Sequence, residues 1–357
     1  MRVLLVAENL DQPEFHFILG AGRRSVSPTV AVNPADARGR ALAEQGMPVV
    51  PCTLHGRIDR KAIAQLRRLL HDGRFDAVHC LRNNRPLSNM LFAARGMAIP
   101  IVAYRGTIGH LGWWDPGSWL TYLNPRVTRI VCVSEAVRRY LLSLGIPEER
   151  VVTIYKGHDV TWYTPAPRSA LAEFGIPGDA FVAGCTASMR PVKGVPVLLE
   201  AVRQLPAAAG VHVLLVGDVR DGRIGRMLKS PRIGPRVHLA GYRQDAAALM
   251  GACDVFVMPS VKREGLPRAL MEAMAQGVAP IVTRVGGMPE LITHDVHGLI
   301  VAPRDPEGLA GALAALAGDP ERRRRLGAQA RERIRRDFSI ATTIDTTLRL
   351  YESIVRR

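Results

Sequence analysis

Lysine, aromatic residues and closely spaced cysteines are all scarce in this 357-residue sequence. Only five of the 48 basic residues are lysine, and aromatic residues make up 5% of the chain. The cysteines are widely spaced, form no CxxC pair and have no histidine at zinc-ligand spacing, so the pattern predicts no cysteine-based zinc site. We expect them to be reduced residues of the core: Cys52, Cys80, Cys132, Cys185 and Cys253.

Long hydrophobic runs are also missing from the start of the chain. The N-terminus, MRVLLVAENL, has an apolar run of only five residues before Glu8. Such a run is shorter than a signal-peptide core and far shorter than a membrane-spanning helix. The sequence therefore predicts a cytoplasmic protein, one able to contact the cell membrane from its inner face.

Acidic residues are outnumbered by basic ones, 32 against 48, so the net charge is +16. The excess is even, at +8 on either side of Trp162. A nucleic-acid-binding arm concentrates its charge, whereas an even excess favours attraction to anionic surfaces or substrates; membrane headgroups and phosphorylated substrates both fit. The densest basic stretch, residues 321–336, predicts either a solvated helix face or a phospholipid contact.

Short apolar runs alternate with amphipathic stretches along the whole chain, a pattern typical of parallel sheets covered by helices. A proline-containing segment at residues 160–170, which resists helix and strand, separates two series of runs. The runs of the first series begin at Val3, Ala77, Ile99, Arg129 and Val151, and those of the second at Phe181, Val211, Arg236, Val255 and Ala279. We therefore predict two α/β domains, residues 1–162 and 170–340, with continuous helix from about Pro306.

Two glutamates stand eight positions apart in the segment Lys262–Gly277, KREGLPRALMEAMAQG. Pro267 suits the first turn of a helix there and Gly277 its end, so Glu264 and Glu272 lie at the mouth and on the body of that helix. Eight residues of helix rise about 12 Å, which lets both carboxylates border one elongated ligand, with phosphates at the helix N-terminus between them. Such a pair is also common on helix surfaces, so the spacing alone leaves both interpretations open.

A second segment supplies cations. MRPVKG, residues 189–194, follows the first predicted strand of the second domain and places Arg190 and Lys193 on a strand-to-helix loop. Ligands of α/β proteins bind at this edge of the sheet, and two fixed cations there neutralise a pyrophosphate as a metal ion would. Because the chain has no DxD triplet, we expect neither a metal nor a cofactor.

Together these segments resemble glycosyltransferase family 4. RPVKG, EGLPRALME, VGGMPELI (Val285–Ile292) and HGLIV (His297–Val301) occur in the family's order and spacing, with weaker matches at DAVHC, CVSEAVRRYL and IYKGHD. The resemblance implies the GT-B fold, in which two Rossmann-like domains face each other across a cleft and a C-terminal helix, about residues 341–357, returns to the first domain. It implies that residues 1–162 bind the acceptor and residues 170–340 the nucleotide-sugar donor.

The resemblance also implies roles for individual residues. Glu264 would hydrogen-bond a hydroxyl of the donor sugar, while Arg190 and Lys193 would grip the diphosphate; these three are the predicted catalytic residues. Glu272 would bind the ribose hydroxyls. Family members retain the anomeric configuration, and the departing phosphate oxygen can accept the proton of the acceptor, so no enzyme base is required.

Further donor contacts are implied for the residues around this core. Backbone amides near Gly265 and Leu266 would assist, although Pro267 replaces the family's usual glycine and has no N–H to donate. His110 would contact the donor sugar, because the family places a histidine in this part of the first domain.

The first domain departs more from the family pattern. A glycine-rich loop usually follows the first strand, but here AENLDQPEF has no glycine before Gly20. His79 keeps one of two expected histidines, and Leu81 replaces the other. For Lys156, in IYKGHD, two interpretations stay open: contact with a phosphate, or an ordinary surface lysine on a turn.

Three of the four tryptophans lie in one segment, Arg105–Pro125, where acceptor loops are expected. Trp113, Trp114, Trp119 and Tyr122 are suited to stacking on sugar faces, to entering a bilayer interface, or to forming a satellite hydrophobic cluster. The sequence does not choose among these.

The leading hypothesis is a metal-independent retaining glycosyltransferase that moves a sugar from a nucleotide-sugar donor to a saccharide or lipid-linked acceptor in polysaccharide or lipopolysaccharide synthesis, with an anionic membrane surface as a further partner. A nucleotide-sugar epimerase or hydrolase of the same fold is the alternative. A nucleic-acid-binding protein is more remote, because the charge is even and no binding module is recognisable. A dinucleotide oxidoreductase is disfavoured, since neither domain opens with GxGxxG.

Overall fold

The computed structural model describes residues 1–82 and 84–355, and the chain divides into two compact units. Unit 1 comprises Met1–Gly157 and the C-terminal segment that begins at Ile340, and unit 2 comprises His158–Ser339. Each unit has a parallel sheet of its own, and helices connect the strands of that sheet. The predicted architecture of two α/β domains is therefore confirmed.

Unit 1 contains a seven-stranded sheet. Its strands are β1 (Arg2–Val6), β2 (Ser27–Val32), β3 (Val49–Pro51), β4 (Ala77–Cys80), β5 (Ile101–Arg105), β6 (Val127–Cys132) and β7 (Val151–Thr153). All neighbours are parallel, in the order β3-β2-β1-β4-β5-β6-β7. The apolar runs did not reveal β2 and β3, because β2 carries a proline at its second position and β3 has only three residues.

The helices of unit 1 connect these strands. They are α1 (Gln12–Gly22), α2 (Ala37–Glu44), α3 (Arg60–Gly73), α4 (Asn84–Ala93), α5 (Pro116–Trp119) and α6 (Glu135–Ser143). A capping box begins α1: the Asp11 carboxylate accepts from the backbone N–H of Glu14 at 3.0 Å, and the Glu14 carboxylate accepts from that of Asp11 at 2.9 Å. The glycine-free segment after β1 therefore holds two buried carboxylates.

Unit 2 contains a six-stranded parallel sheet. Its strands are β8 (Phe181–Thr186), β9 (Val211–Val216), β10 (Val237–Gly241), β11 (Val255–Met258), β12 (Ala279–Thr283) and β13 (Leu299–Val301). Their order is β10-β9-β8-β11-β12-β13. The apolar runs predicted the first five, whereas β13 is too short to show a pattern of its own.

The helices of unit 2 include the long C-terminal region that the sequence predicted. They are α7 (Val195–Gln204), α8 (Gly222–Met227), α9 (Ala246–Gly251), α10 (Arg268–Ala275), α11 (Met288–Leu291), α12 (Pro306–Gly318) and α13 (Pro320–Asp337). The helix predicted from Pro306 is interrupted at Asp319, whose carboxylate accepts from the N–H of Arg322 and starts a new helix. Across the described helices, none is both long and apolar enough to cross a bilayer.

The last helix, α14 (Ile340–Val355), belongs to unit 1. Its residues Ile344, Leu348 and Tyr351 share one hydrophobic core with Phe17 and Ile18 of α1. The prediction that a C-terminal helix returns to the first domain is therefore confirmed; residues 356 and 357 of the predicted range lie outside the described part.

All five cysteines are buried and free, as the sequence predicted. Burial raises the pKa of the Cys185 thiol to about 12, and it raises that of Cys253 to about 12 as well. Thiols held neutral in this way are core residues without nucleophilic or metal-binding roles.

The strand order places one crevice in the sheet of unit 2. Because β8 lies between β9 and β11, successive strands extend from β8 toward one edge and from β11 toward the other. The loops that follow β8 and β11 therefore leave the carboxyl edge in opposite directions, and ligands of α/β proteins bind between such loops. These two loops carry the residues of the candidate site.

Candidate functional site

A buried carboxylate and an ammonium group meet between the two loops. Lys193, on the loop after β8, places Nζ 2.7 Å from Oε1 of Glu264, on the loop after β11. Glu264 is only 6% exposed, and the Lys193 side chain is 20% exposed. The sequence predicted both residues as site residues, but it did not predict that they contact each other.

The Glu264 carboxylate is held through one oxygen. The hydroxyl of Ser260, a fully buried residue, donates to the same Oε1 at 2.5 Å. Within the described part of the chain, Oε2 of Glu264 has no hydrogen bond or ion pair to protein. The carboxylate is therefore fixed in position while one of its oxygens stays available to accept a hydrogen bond from a ligand.

Arg190 lies on the same loop as Lys193, three residues earlier. It is exposed and directly precedes the 3₁₀ turn Pro191–Lys193. Among the described residues, its guanidinium has no hydrogen bond or ion pair. A forked donor that no carboxylate occupies is suited to bind phosphate oxygens.

Glu272 lies on the second turn of α10. Its Oε1 is 3.2 Å from Nε of Arg268, one helical turn earlier, and its side chain is 18% exposed. The helix begins at Arg268, so Pro267 is the capping residue instead of the first helical residue, while Gly277 follows the last turn with φ +79° as the sequence predicted. Pro267 provides no side-chain cap, which leaves the amides of the first turn without that partner.

The turn between Glu264 and the helix is pinned to the VGGMPE segment. Gly265 is buried, Leu266 is half-buried, and the carbonyl of Gly265 accepts from the N–H of Gly287 at 3.0 Å. Gly286 has φ +57°, and a Cβ added there would lie 1.9 Å from the carbonyl oxygen of Glu264. Only glycine allows this backbone approach, so Gly286 fixes the position of Glu264.

Two residues of this site were missed by the sequence analysis. The sequence analysis assigned no role to Ser260 or to Thr283, whose hydroxyl donates to the carbonyl of Ser260. Both are buried polar residues at the carboxyl ends of neighbouring strands, β11 and β12. That position was the available signal, because binding residues of parallel sheets gather at this edge.

No group of metal ligands accompanies these residues. Within residues 1–82 and 84–355, no three histidine, cysteine, aspartate or glutamate side chains come together to hold an ion. Lys193 and Arg190 bring positive charge to the loop after β8.

In unit 1, Lys156 lies in a cluster of four charged groups. Its Nζ is 2.5 Å from Oδ2 of Asp11 and 2.7 Å from Oε1 of Glu14, and Arg82 adds a contact of 3.1 Å to Glu14. Although burial alone would lower the pKa of Lys156, the neighbouring carboxylates raise it above its usual range. Of the two interpretations left open for Lys156, the ordinary surface lysine does not describe it, because its ammonium contacts two buried carboxylates.

Replacing Lys156 by methionine is expected to destabilise the protein by about 3 kcal/mol at pH 7, because among the described residues the two buried carboxylates then keep Arg82 alone as a cation. Although burial opposes it, Lys156 lowers the pKa of Asp11 on folding. The Asp11 contribution is therefore full above the unfolded-state pKa of about 3.9 and is lost as the pH falls through the lower folded value. The Lys156 contribution, from a raised pKa, is full below about 10.4.

Urea unfolding followed by circular dichroism at pH 7 and in acid tests this prediction. We expect the difference between Lys156→Met and wild type to shrink in acid, as the carboxylates become protonated. Lys229→Met is the control, since Lys229 is exposed and no described residue pairs with it. An equal, small effect of both substitutions at pH 7 would refute the role of the cluster.

His79 is a buried residue of β4 and lines the same cavity as Glu14 and Lys156. Its Nδ1 is 2.6 Å from the hydroxyl of Tyr351 on α14, and burial lowers its pKa to about 3. The ring is therefore neutral at physiological pH, and its described bond connects β4 to the C-terminal helix.

The tryptophan segment combines exposed rings with one buried ring. Trp113, Trp114 and Trp119 are 45%, 98% and 43% exposed, whereas Tyr122 is fully buried and donates to the carbonyl of Tyr104 at 2.8 Å. Tyr122 is thus unavailable for stacking on a ligand, contrary to one of the expectations for this segment.

His110 precedes the exposed tryptophans in the chain. It is exposed and adopts φ +60°, a left-handed conformation. Its predicted contact with a donor sugar stays a prediction.

Two family models match the chain and together reach both units. One, described as Glycosyltransferase Family 4, matches residues 16–162, and the other, described as Glycosyl transferases group 1, matches residues 180–319. The second match contains the candidate site in unit 2.

Two curated relatives have names of related meaning. Lipopolysaccharide core biosynthesis glycosyltransferase LpsE of Rhizobium meliloti (strain 1021) is 30% identical over 279 residues, 77% of this chain and 78% of that protein. WcaL of Escherichia coli (strain K12), named as a proposed colanic acid biosynthesis glycosyltransferase, is 30% identical over 210 residues, 56% of this chain. This chain spans only 50% of the length of the second relative.

A solved structure has the same architecture. Anabaena Alr3699/HepE in complex with UDP-glucose aligns with a TM-score of 0.80 at 22% identity, covering 99% of this chain and 100% of that one. The likeness confirms the predicted GT-B fold class. With the family models and the Rhizobium relative, it shows that the chain belongs to glycosyltransferase family 4.

Proposed function

We propose that this protein transfers a sugar, with retention of anomeric configuration, from a nucleotide-sugar donor to a saccharide or lipid-linked acceptor. The observation that carries the proposal is the arrangement after β8 and β11: the Glu264 carboxylate, fixed through one oxygen by Lys193 and Ser260, lies beside a loop with the exposed Arg190. This combines an acceptor for a sugar hydroxyl with cations for a diphosphate.

The predicted residues of unit 2 each have a role in this proposal. Oε2 of Glu264 accepts a hydroxyl of the donor sugar. Lys193 has three N–H donors, so it contacts the diphosphate while still holding Glu264, and Arg190 binds the same group as a fork. Glu272 exchanges its exposed partner Arg268 for the ribose hydroxyls, and the amides near Gly265 and Leu266 add donors to the phosphates.

In the proposed transfer step, the protein stabilises the negative charge that develops on the leaving diphosphate. As the bond from sugar to phosphate breaks, negative charge grows on the leaving diphosphate, and Lys193 with Arg190 stabilises it without a metal. The departing oxygen takes the proton of the acceptor hydroxyl on the same face of the sugar. The protein then contributes positioning and charge stabilisation.

The relatives suggest the class of acceptor. LpsE is named for lipopolysaccharide core biosynthesis and WcaL for colanic acid biosynthesis. We propose a growing cell-surface saccharide, presented at the inner face of the cell membrane, as the acceptor here.

A thermal-shift panel of UDP, GDP, ADP and CMP with their sugars tests donor binding. At a concentration of 100 Kd, the correct nucleotide stabilises the folded state by about 2.7 kcal/mol, which raises Tm by several degrees. We expect one base to shift the wild type, in EDTA as well as in magnesium, and Glu272→Ala to lose most of that shift.

Glu200→Ala is the matched control, because Glu200 also pairs with an arginine on its own helix, Arg203 of α7, and is not a residue of either loop. It is expected to keep the full shift. No shift of the wild type with any nucleotide at millimolar concentration would overturn the donor proposal, and a shift that requires magnesium would overturn its metal independence.

A further inference from the structure

The exposed tryptophans of unit 1 form one surface, which we call the tryptophan patch: Trp113, Trp114 and Trp119. The rings of Trp113 and Trp119 meet edge to face with centroids 5.3 Å apart, and Trp114 projects almost entirely into solvent. Large aromatic side chains are seldom left this exposed without a partner.

Two of the three indole N–H groups of the patch are already bonded to protein. The indole N–H of Trp113 donates to the carbonyl of Leu144 at 2.6 Å, and that of Trp119 donates to the carbonyl of Trp113 at 2.8 Å. These two rings therefore enter an apolar phase without leaving a donor unpaired. A saccharide, by contrast, needs hydrogen-bonding groups beside the stacking ring. The N–H donors of Trp113 and Trp119 are already bonded to backbone carbonyls.

The patch is also held rigidly. Asp115 accepts from the N–H of Gly117 at 3.1 Å and from the hydroxyl of Ser118 at 2.7 Å, which caps α5, and buried Tyr122 anchors the end of the segment. A surface whose geometry is fixed before contact loses little conformational entropy on binding.

Cations accompany the patch. The Arg57 guanidinium lies against Gly117, within 2.2 Å of where a Cβ would be, and Arg60 and Lys61 follow as exposed residues at the start of α3. Helices of a parallel α/β sheet run opposite to its strands, so the start of α3 lies at the carboxyl edge of the sheet, as does the segment after β5.

Several arginines of the densest basic run, residues 321–336, are held in ion pairs. Arg322 contacts Asp295 at 2.9 Å, Arg323 contacts Asp254 at 3.3 Å, and Arg325 approaches Asp295 at 3.8 Å. Of the two interpretations that the sequence left open for this run, these ion pairs favour the solvated helix face.

We propose that the tryptophan patch docks this protein on an anionic lipid bilayer, with Trp114 in the interface and Arg57, Arg60 and Lys61 at the headgroup phosphates. Aromatic side chains flanked by cations are suited to this boundary, and each cation near an anionic surface adds attraction. This inference rests on the proposed function, which gives docking its purpose: a lipid-linked acceptor is presented at such a surface.

Co-sedimentation with vesicles of phosphatidylcholine and phosphatidylglycerol tests the proposal directly. We expect Trp114→Ser to weaken partitioning about tenfold, because burial of one large aromatic ring contributes on that scale. The control is Tyr242→Ser in unit 2, an aromatic residue that is 75% exposed and outside the patch, and it is expected to bind as wild type. Trp114 has almost no protein contacts, so its loss leaves the fold intact.

A second variant tests the charge. The triple variant Arg57→Gln, Arg60→Gln and Lys61→Gln is expected to bind mixed vesicles as weakly as the wild type binds pure phosphatidylcholine. Added salt should weaken binding of the wild type to mixed vesicles in the same way. Equal binding by wild type and Trp114→Ser, or no binding by the wild type, would overturn the proposal.

Two further measurements separate this inference from its rivals. Normal vesicle binding by Trp114→Ser with a raised KM for a soluble saccharide would assign the patch to the acceptor instead. The nucleotide thermal shift should be unchanged in both variants, so a failure of the proposed donor binding is seen independently of membrane docking.

Discussion

Replacing Glu264 by glutamine is expected to lower kcat/KM for sugar transfer by about 10²–10³-fold, the scale seen when one preorganised group at a reacting centre is lost. The amide oxygen of glutamine still accepts from Lys193 and Ser260, so the side chain keeps its position. What changes is the other atom, where an N–H donor replaces the acceptor Oε2. A hydroxyl of the donor sugar then loses its acceptor, while the nucleotide keeps all of its own contacts.

The measurement is steady-state transfer with the donor identified by thermal shift, together with the shift given by the free nucleoside diphosphate. We expect catalysis to fall while that shift is unchanged, because the proposed mechanism places Glu264 at the sugar and not at the nucleotide. Glu173→Gln is the control: Glu173 also pairs with a cation, Arg243 at 2.8 Å, but lies on neither loop. Wild-type transfer by Glu264→Gln would remove this residue from the mechanism.

Gly286→Ala is expected to lower kcat/KM by about 100-fold and stability by about 2–4 kcal/mol, through a backbone collision instead of a lost side chain. The new Cβ would lie 1.9 Å from the carbonyl oxygen of Glu264, so the loop that carries this carboxylate must move by more than an ångström. Displacements of that size at a reacting group are costly. The left-handed φ of +57° adds about 1 kcal/mol.

Gly210→Ala separates the two causes. Gly210 belongs to the same unit and has nearly the same backbone angle, φ +59°, but an added Cβ would meet nothing within 4 Å. It should therefore cost only about 1 kcal/mol and leave kcat unchanged. If both variants behave alike in unfolding and in kinetics, the contact of Gly286 with Glu264 has no functional importance.

Local patterns were sufficient to predict the elements around the site. Runs of apolar residues located β8 and β11, and the charged residues in the loops that follow them, Lys193 and Glu264, were expected at the carboxyl edge. Two strands, β3 and β13, were missed because each has only three residues, too few to show a periodic pattern.

Contacts between distant parts of the chain were beyond such patterns. Lys156 illustrates this, because its partners Asp11 and Glu14 are more than 140 residues away and only the order of the parallel strands brings them together. A lysine in a turn predicts an exposed side chain, because a buried ammonium is stable only when carboxylates pair with it. The sequence does not show which carboxylates come near Lys156.

The sequence by itself determined the class of fold, the two-domain division and the residues that belong at the carboxyl edge of the second sheet. Only the tertiary structure decided how those residues contact one another: Glu264 shares one oxygen between Lys193 and Ser260, and Gly286 holds its backbone in place. The physical reason is that periodicity and capping act over a few residues, whereas these contacts join loops that meet only after β8, β11 and β12 have paired.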